Sequence, residues 1–191
     1  MAKDLKIPYL KALQGYLWTR GYEEGALVCP LFDDVEPKLK EWHSAGKTIS
    51  KSTPLDYQLT CECIFSPRIA YQQLTPPTVI YSSGSVPAQK LLFQYTNSTP
   101  ADLRPLISNY FDTVNAGPKT AKQSYETIAA TLPEVSIHRW LFLSDNVKEV
   151  AAAKEAGMES FVVVREGNAV LTESEREGQV LVTSFREVDL K

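Results

Sequence analysis

The residues of this chain best suited to phosphate chemistry are Ser82 and Ser83, Lys119 and Asp145. The two serines close an apolar run beginning at Thr78, and Gly84, Ser85 and a stretch of helical character from Val86 to Phe93 follow them. That order reads as strand, tight turn, helix. Ser85 is placed to cap the helix, and Pro87 sits near the first turn, where a missing N–H does no harm. The N–H groups of such a helix start, with the positive end of its dipole, suit an anion, and the serine hydroxyls stand beside them. An ordinary βα turn whose serines only cap has the same features, so the stretch alone leaves both readings open.

Asp145 follows the apolar run Trp140-Leu141-Phe142-Leu143 and Ser144. A carboxylate emerging from the end of a rigid strand suits Mg²⁺, which takes one or two carboxylates plus phosphate oxygens and waters. Asp145 equally suits a cap for the helix from Val147. Lys119, in a Gly-Pro-Lys turn, could neutralise a phosphate or simply be solvated. Arg165 and Asn168 mark a third strand end. Asp33 and Asp34 are neighbours on a helix start and point in different directions, so capping explains them better than a metal.

The elements that must position these groups follow from periodicity. Ile7, Leu10, Leu13 and Leu17 share one face of a helix over 5–18 that packs and ends near Trp18 and Gly21. Val35, Leu39 and Trp42 repeat that spacing, with Gly46 as the stop. From 48 to 78 the chain turns to Ser, Thr, Pro and Gln and reads as an irregular insertion, although Leu59 to Phe65 alternates like a short strand. Beyond it come a short helix over Pro100 to Ile107, an extended piece at Tyr110 to Thr113, and a helix through Tyr125, Ile128 and Leu132. An alanine-rich helix from Val147 to Ala156 stops at Gly157, and strands at Ser160 to Val164 and Val180 to Thr183 complete the series. Near-continuous apolar strands alternating with helices predict an α/β fold, a parallel sheet covered on both sides.

Composition bounds the function. The chain has 191 residues, 43% of them hydrophobic, and a formal net charge of -3, which argues against a general nucleic-acid binder. No apolar run reaches membrane-spanning length and the N-terminus has no apolar signal core, so a soluble, intracellular protein is expected. Cys29, Cys61 and Cys63 are too few and too oddly spaced for a disulfide framework and read as packing thiols, with a metal site as a remote alternative.

Several ordered blocks carry a family resemblance. Ile80 to Val86 with Ala88 to Phe93, then Tyr110-Phe111-Asp112-Thr113, Leu141 to Asp145, and Val163 to Ala169 resemble the enolase-phosphatase (acireductone synthase) of methionine salvage, in the haloacid dehalogenase superfamily. Leu13 to Trp18 and Leu31 to Trp42 are similar to the end of that family's helical cap and the helix returning to its core. The resemblance implies a Rossmann-like parallel sheet in three parts: 1–47 as cap remnant and return helix, 48–78 as insertion, and 79–191 as phosphatase core. It implies that Ser82 and Ser83 bind the substrate phosphate, that Lys119 offsets its charge, and that Asp145 holds Mg²⁺. The implied substrate is a small phosphorylated molecule, 2,3-diketo-5-methylthiopentyl 1-phosphate, taken by a monomer to an acireductone.

The departures are as informative. The family's Asp-x-Glu-Gly-Thr motif, with its nucleophilic aspartate, does not occur in this sequence, and Asp4, Asp33, Asp34 and Asp56 do not replace it. Without an attacking carboxylate the covalent route is closed, and Asp145 alone should bind Mg²⁺ weakly. The first central strand of the sheet is therefore expected to be missing, leaving two unpaired edges unless Leu59 to Phe65 fills the gap. Glu166 stands where the family usually has proline, and the turn before Lys119 is one residue longer. An imperfect gene model, with a wrong start and a retained intron, would account for both the absent motif and the insertion. Sequencing the transcript tests it.

Overall fold

The computed structural model describes residues 8–44, 65–67 and 78–188. Two helices open the described chain, α1 (Pro8–Glu23) and α2 (Val35–Ser44). Then come β1 (Phe65–Pro67), β2 (Val79–Ser82), α3 (Val86–Gln94), β3 (Asn109–Asp112), α4 (Lys122–Ala129), β4 (Trp140–Ser144), α5 (Val147–Glu155), β5 (Glu159–Val163), α6 (Glu173–Arg176) and β6 (Leu181–Val182). The short helix expected over Pro100 to Ile107 is a 3-10 turn at Arg104–Leu106, and another 3-10 turn, Phe185–Glu187, lies near the C-terminus.

The strands form one six-stranded sheet in the order β3-β2-β1-β4-β5-β6. Within it β2 and β3 are parallel, as are β4, β5 and β6. Side chains alternate between two cores, which is why the strands read as unbroken apolar runs. Ile80, Leu141, Leu143 and Val163 pack with Val35, Leu39 and Trp42 of α2 on one face. Tyr81, Trp140, Phe142 and Val162 pack with Tyr125 and Ile128 of α4 and Val150 of α5 on the other. The fold is the haloacid-dehalogenase-like α/β arrangement that the resemblance implies.

At the centre of the sheet the place of the missing first strand is filled from the insertion, one of the two outcomes expected. Phe65–Pro67 occupies that position and runs antiparallel to both neighbours, pairing Phe65 with Val79 of β2 and Phe65, Ser66 and Pro67 with Phe142, Leu141 and Trp140 of β4. Two facing rows of unpaired N–H and C=O groups would otherwise lie inside the sheet, and this segment covers part of them. Phe65, the last residue of the alternating run from Leu59, belongs to this strand, and 59–64 lie outside the described residues.

The first helix corrects an expectation. It runs on to Glu23, and Leu13 and Leu17 are 52% and 57% exposed rather than packed. Among the described residues α3 packs on α1 and meets the side chains of Trp18 and Tyr22, with Tyr22 stacked on Tyr95 at 5.6 Å between ring centroids. An apolar stripe shows where a helix could pack, while the position of its neighbour decides where it does. Burial, together with the nearby Cys29, pushes the Tyr22 phenol up to about 12. Cys29 itself is buried beside Tyr22 and Leu92, as a packing thiol should be, while Cys61, Cys63, Ile7 and the side chain of Leu10 lie outside what is described. Further along, Gly157 ends α5 with φ +98°, a conformation glycine adopts without penalty, as its position after the alanine-rich helix predicts.

Candidate functional site

Because β2 to β5 are parallel on either side of the seam, their carboxyl ends share one edge of the sheet, where ligands of open α/β folds bind. Ser82 ends β2 and is fully buried, its Oγ accepting the Gly84 N–H at 3.0 Å. Ser83 follows it and is exposed. The turn is locked from below by Gln89, whose Nε2 donates to the carbonyls of Gly84 and Phe111, each at 2.8 Å.

Ser85 occupies the N-cap position of α3, but its side chain makes no cap hydrogen bond. Asp112, at the end of β3, does that work instead: Oδ2 accepts the Val86 N–H at 3.1 Å, and Oδ1 accepts the N–H groups of Val114 and Asn115. A charged carboxylate is a stronger acceptor than a serine hydroxyl and suits the positive helix end, which accounts for the exchange. One side chain thus ties the serine turn to the turn that leads to Lys119.

Lys119 is buried, and its Nζ lies 2.8 Å from Glu149 Oε2 on α5. The same oxygen accepts the Ser144 hydroxyl at 3.1 Å, and Ser144 Oγ accepts the Asn146 N–H at 3.0 Å. The extra residue expected before Lys119 does not keep it from the strand ends. Glu149 was not singled out from the sequence. Its signal was position: four residues after Asp145, on the first turn of the helix that strand β4 feeds.

Asp145 does not cap α5. Asn146 does, accepting the Lys148 N–H at 3.0 Å. Asp145 is half-buried, and its Oδ2 accepts the Asn168 amide at 2.9 Å, while Asn168 Oδ1 takes the Arg165 N–H at 2.5 Å. Beside it opens a cavity of about 290 Å³ bordered by Asp145, Val147, Lys148, Leu171 and Glu175. No group of three His, Cys, Asp or Glu converges among the described residues. A single carboxylate fits Mg²⁺ only together with phosphate oxygens and water.

Arg165, a third candidate for phosphate contact, is committed elsewhere. Its guanidinium reaches Asp34 Oδ2 at 2.5 Å and lies over the rings of Phe32 and Phe185, 4.7 and 5.1 Å from their centroids. Asp34 Oδ2 also accepts from Ser184 Oγ and the Phe185 N–H at 2.8 and 2.6 Å. Burial opposes ionisation of this carboxyl, but the hydrogen bonds from Arg165, Ser184 and Phe185 and the Arg165 charge outweigh it and hold the group below the usual range. Asp34 is therefore one half of a buried ion pair rather than a helix cap, and Asp33 is exposed and pairs with Arg186 at 3.2 Å.

Serine turn, lysine turn and Asp145 thus lie along one edge of the sheet, joined by Asp112 and by the Lys119, Glu149 and Ser144 contacts. Comparison with known proteins adds the context for that edge. No protein-family model matches the chain. The chain is 53% identical over 188 residues to enolase-phosphatase E1 of Chaetomium globosum, covering 98% of this chain and 69% of that protein. It is also 53% identical over 205 residues to enolase-phosphatase E1 of Botryotinia fuckeliana, covering 99% and 67%. Among solved structures, the UTR4 protein of Saccharomyces cerevisiae superposes with a TM-score of 0.70 at 32% identity, covering 97% of this chain and 70% of that one. The chain belongs to the enolase-phosphatase family, a family of hydrolases.

Proposed function

We propose that this chain keeps the phosphate-holding half of an enolase-phosphatase site and binds a small phosphorylated substrate without hydrolysing it. The substrate class carried over from the family is 2,3-diketo-5-methylthiopentyl 1-phosphate, and the pathway is methionine salvage. In this reading Ser83 and the turn around Ser82 hold the phosphate, Lys119 offsets its charge, and Asp145 holds Mg²⁺. The metal, when bound, would draw charge from the phosphate oxygens. Residues 1–47 serve as cap remnant and return helix and 79–191 as the core. The protein acts as a cytoplasmic or nuclear monomer.

One observation carries the reading. The carboxyl ends of the parallel strands present hydroxyl, ammonium and carboxylate along one edge, while the central strand position is filled by a segment running the opposite way. A strand that runs in reverse has its carboxyl end, Pro67, beside Trp140 at the start of β4, away from that edge. It therefore delivers no terminal carboxylate to a bound phosphate, and the covalent route lacks its nucleophile. The related reading, a non-catalytic module holding a phosphorylated ligand or partner, uses the same serines and Lys119. The Asp34 pair withdraws Arg165 from it.

Calorimetry with inorganic phosphate, with and without Mg²⁺, and a phosphatase assay on the same preparation test the proposal. Binding that weakens in Asp145→Ala only when Mg²⁺ is present, without turnover, is the expected result. Turnover abolished by Asp145→Ala refutes the inactivity, and absence of binding under both conditions refutes the phosphate site.

A further inference from the structure

We propose that Tyr81, Ser124 and Tyr125 are positioning residues that fix the turn carrying Lys119. The inference rests on the reading of Lys119 as the cation of the phosphate site. Three successive carbonyls of the lysine turn each accept one side-chain hydroxyl. Gly117 O accepts from Tyr81 at 2.6 Å, Pro118 O from Ser124 at 2.8 Å, and Lys119 O from Tyr125 at 2.5 Å. All three donors are buried, at 0%, 2% and 0% exposure.

The donors come from two directions. Tyr81 directly precedes Ser82 in β2, whereas Ser124 and Tyr125 lie on α4, which follows the turn. The turn that carries the cation is thus gripped by the strand that carries the serines and by its own downstream helix. The grip is braced: the Tyr81 and Tyr125 rings meet edge to face at 5.8 Å, and Tyr125 meets Phe142 of β4 at 4.9 Å. The backbone is specific too. Gly117 has φ +106°, and a Cβ there would stand 2.7 Å from Ser124 Oγ.

The grip matters because of what a lysine is. Its ammonium is a point charge on a flexible four-carbon stem, so where the charge sits depends on how firmly the backbone beneath it is held. Hydrogen bonds to the carbonyls on both sides of Lys119 remove the turn's freedom, and the pair with Glu149 removes the stem's. A buried tyrosine usually finds one partner for its hydroxyl, although that of Tyr110 has none. Three donors on successive carbonyls of one functional turn go beyond that need.

The test uses Tyr81→Phe, Ser124→Ala and Tyr125→Phe, singly and combined, in the full chain. Acylation rates of individual lysines are read by mass spectrometry, with Lys38, buried on α2 and paired with Glu41, as control. A local loosening raises the Lys119 rate about fivefold or more in the combined variant and leaves Lys38 unchanged. Equal rises at both lysines mean that the hydroxyls only stabilise the fold and overturn the proposal, as does an unchanged Lys119. Calorimetry with inorganic phosphate adds a cycle with Lys119→Met. The hydroxyl variants should weaken binding in the native background and cost nothing further in the Lys119→Met background, whereas an equal loss in both overturns positioning. If phosphate does not bind at all while the acylation pattern holds, the phosphate role of Lys119 fails and its positioning by the three hydroxyls stands.

Discussion

Two buried ion pairs in this protein look alike and are built differently. Arg165 with Asp34 and Lys119 with Glu149 are each almost closed to solvent, and each carboxylate also receives a serine hydroxyl, from Ser184 and Ser144 respectively. In the arginine pair the surroundings converge on the charges themselves: aromatic rings lie against the guanidinium, and a backbone N–H joins the carboxylate. In the lysine pair the hydroxyls converge instead on the backbone that carries the cation. The first arrangement seals a junction between the start of α2, the turn after β5 and the C-terminal 3-10 turn. The second holds a charge at an address. On the proposed reading of Lys119, burial of a pair does not distinguish structure from function, whereas the object of the supporting hydrogen bonds does.

The contrast can be broken by measurement. Asp34→Ala leaves Arg165 buried without its carboxylate and should cost about 3–5 kcal/mol, seen as a large fall in the urea midpoint. Glu149→Gln keeps an acceptor for Ser144 and Lys119 and should cost less, about 1–3 kcal/mol. If Glu149→Gln proves the more damaging, the lysine pair is the structural one and the distinction fails. Acid should weaken the arginine pair. Asp34 titrates below its unfolded value, so its contribution is complete above about pH 4 and is lost as pH falls through the folded value. Urea midpoints of the native chain and Asp34→Asn, followed from pH 6 downward, should therefore converge in acid. Parallel curves would deny Asp34 its part. Leu17→Lys, on the exposed face of α1, should stay within about 0.5 kcal/mol of the native chain, and a larger loss would mean that face is covered in solution.

What the sequence made legible was local. The strand-turn-helix at Ser82, the apolar run ending at Asp145 and the glycine stop at Gly157 are each written within a few residues, and each appears where expected. The partners were less legible because they are distant. Nothing near Asp34 points to Arg165, 131 positions away, so a cap was the natural local reading. Ser85 has the right residue type for capping, yet Asp112 competes with it from another strand and wins. Glu149 lay within reach of the same reasoning, at helical spacing from Asp145. β1 is described over three residues, of which Phe65 belongs to the alternating run read from Leu59, and nothing in that run announces that the strand pairs antiparallel to both neighbours.

That reversed strand has a consequence for the order in which the molecule assembles. The parallel pairs β2 with β3 and β4 with β5 join segments connected by a single helical crossover, whereas β1 must find β4 across the length of both β2 and β3. Closure over long separations is slow because the chain gives up its freedom before the contacts form. Pulse-labelled amide exchange during refolding should therefore show Ile80 and Leu143 protected before Ser66. The sheet would grow as two blocks, each already winding its own parallel strands, and the seam between them would zip last.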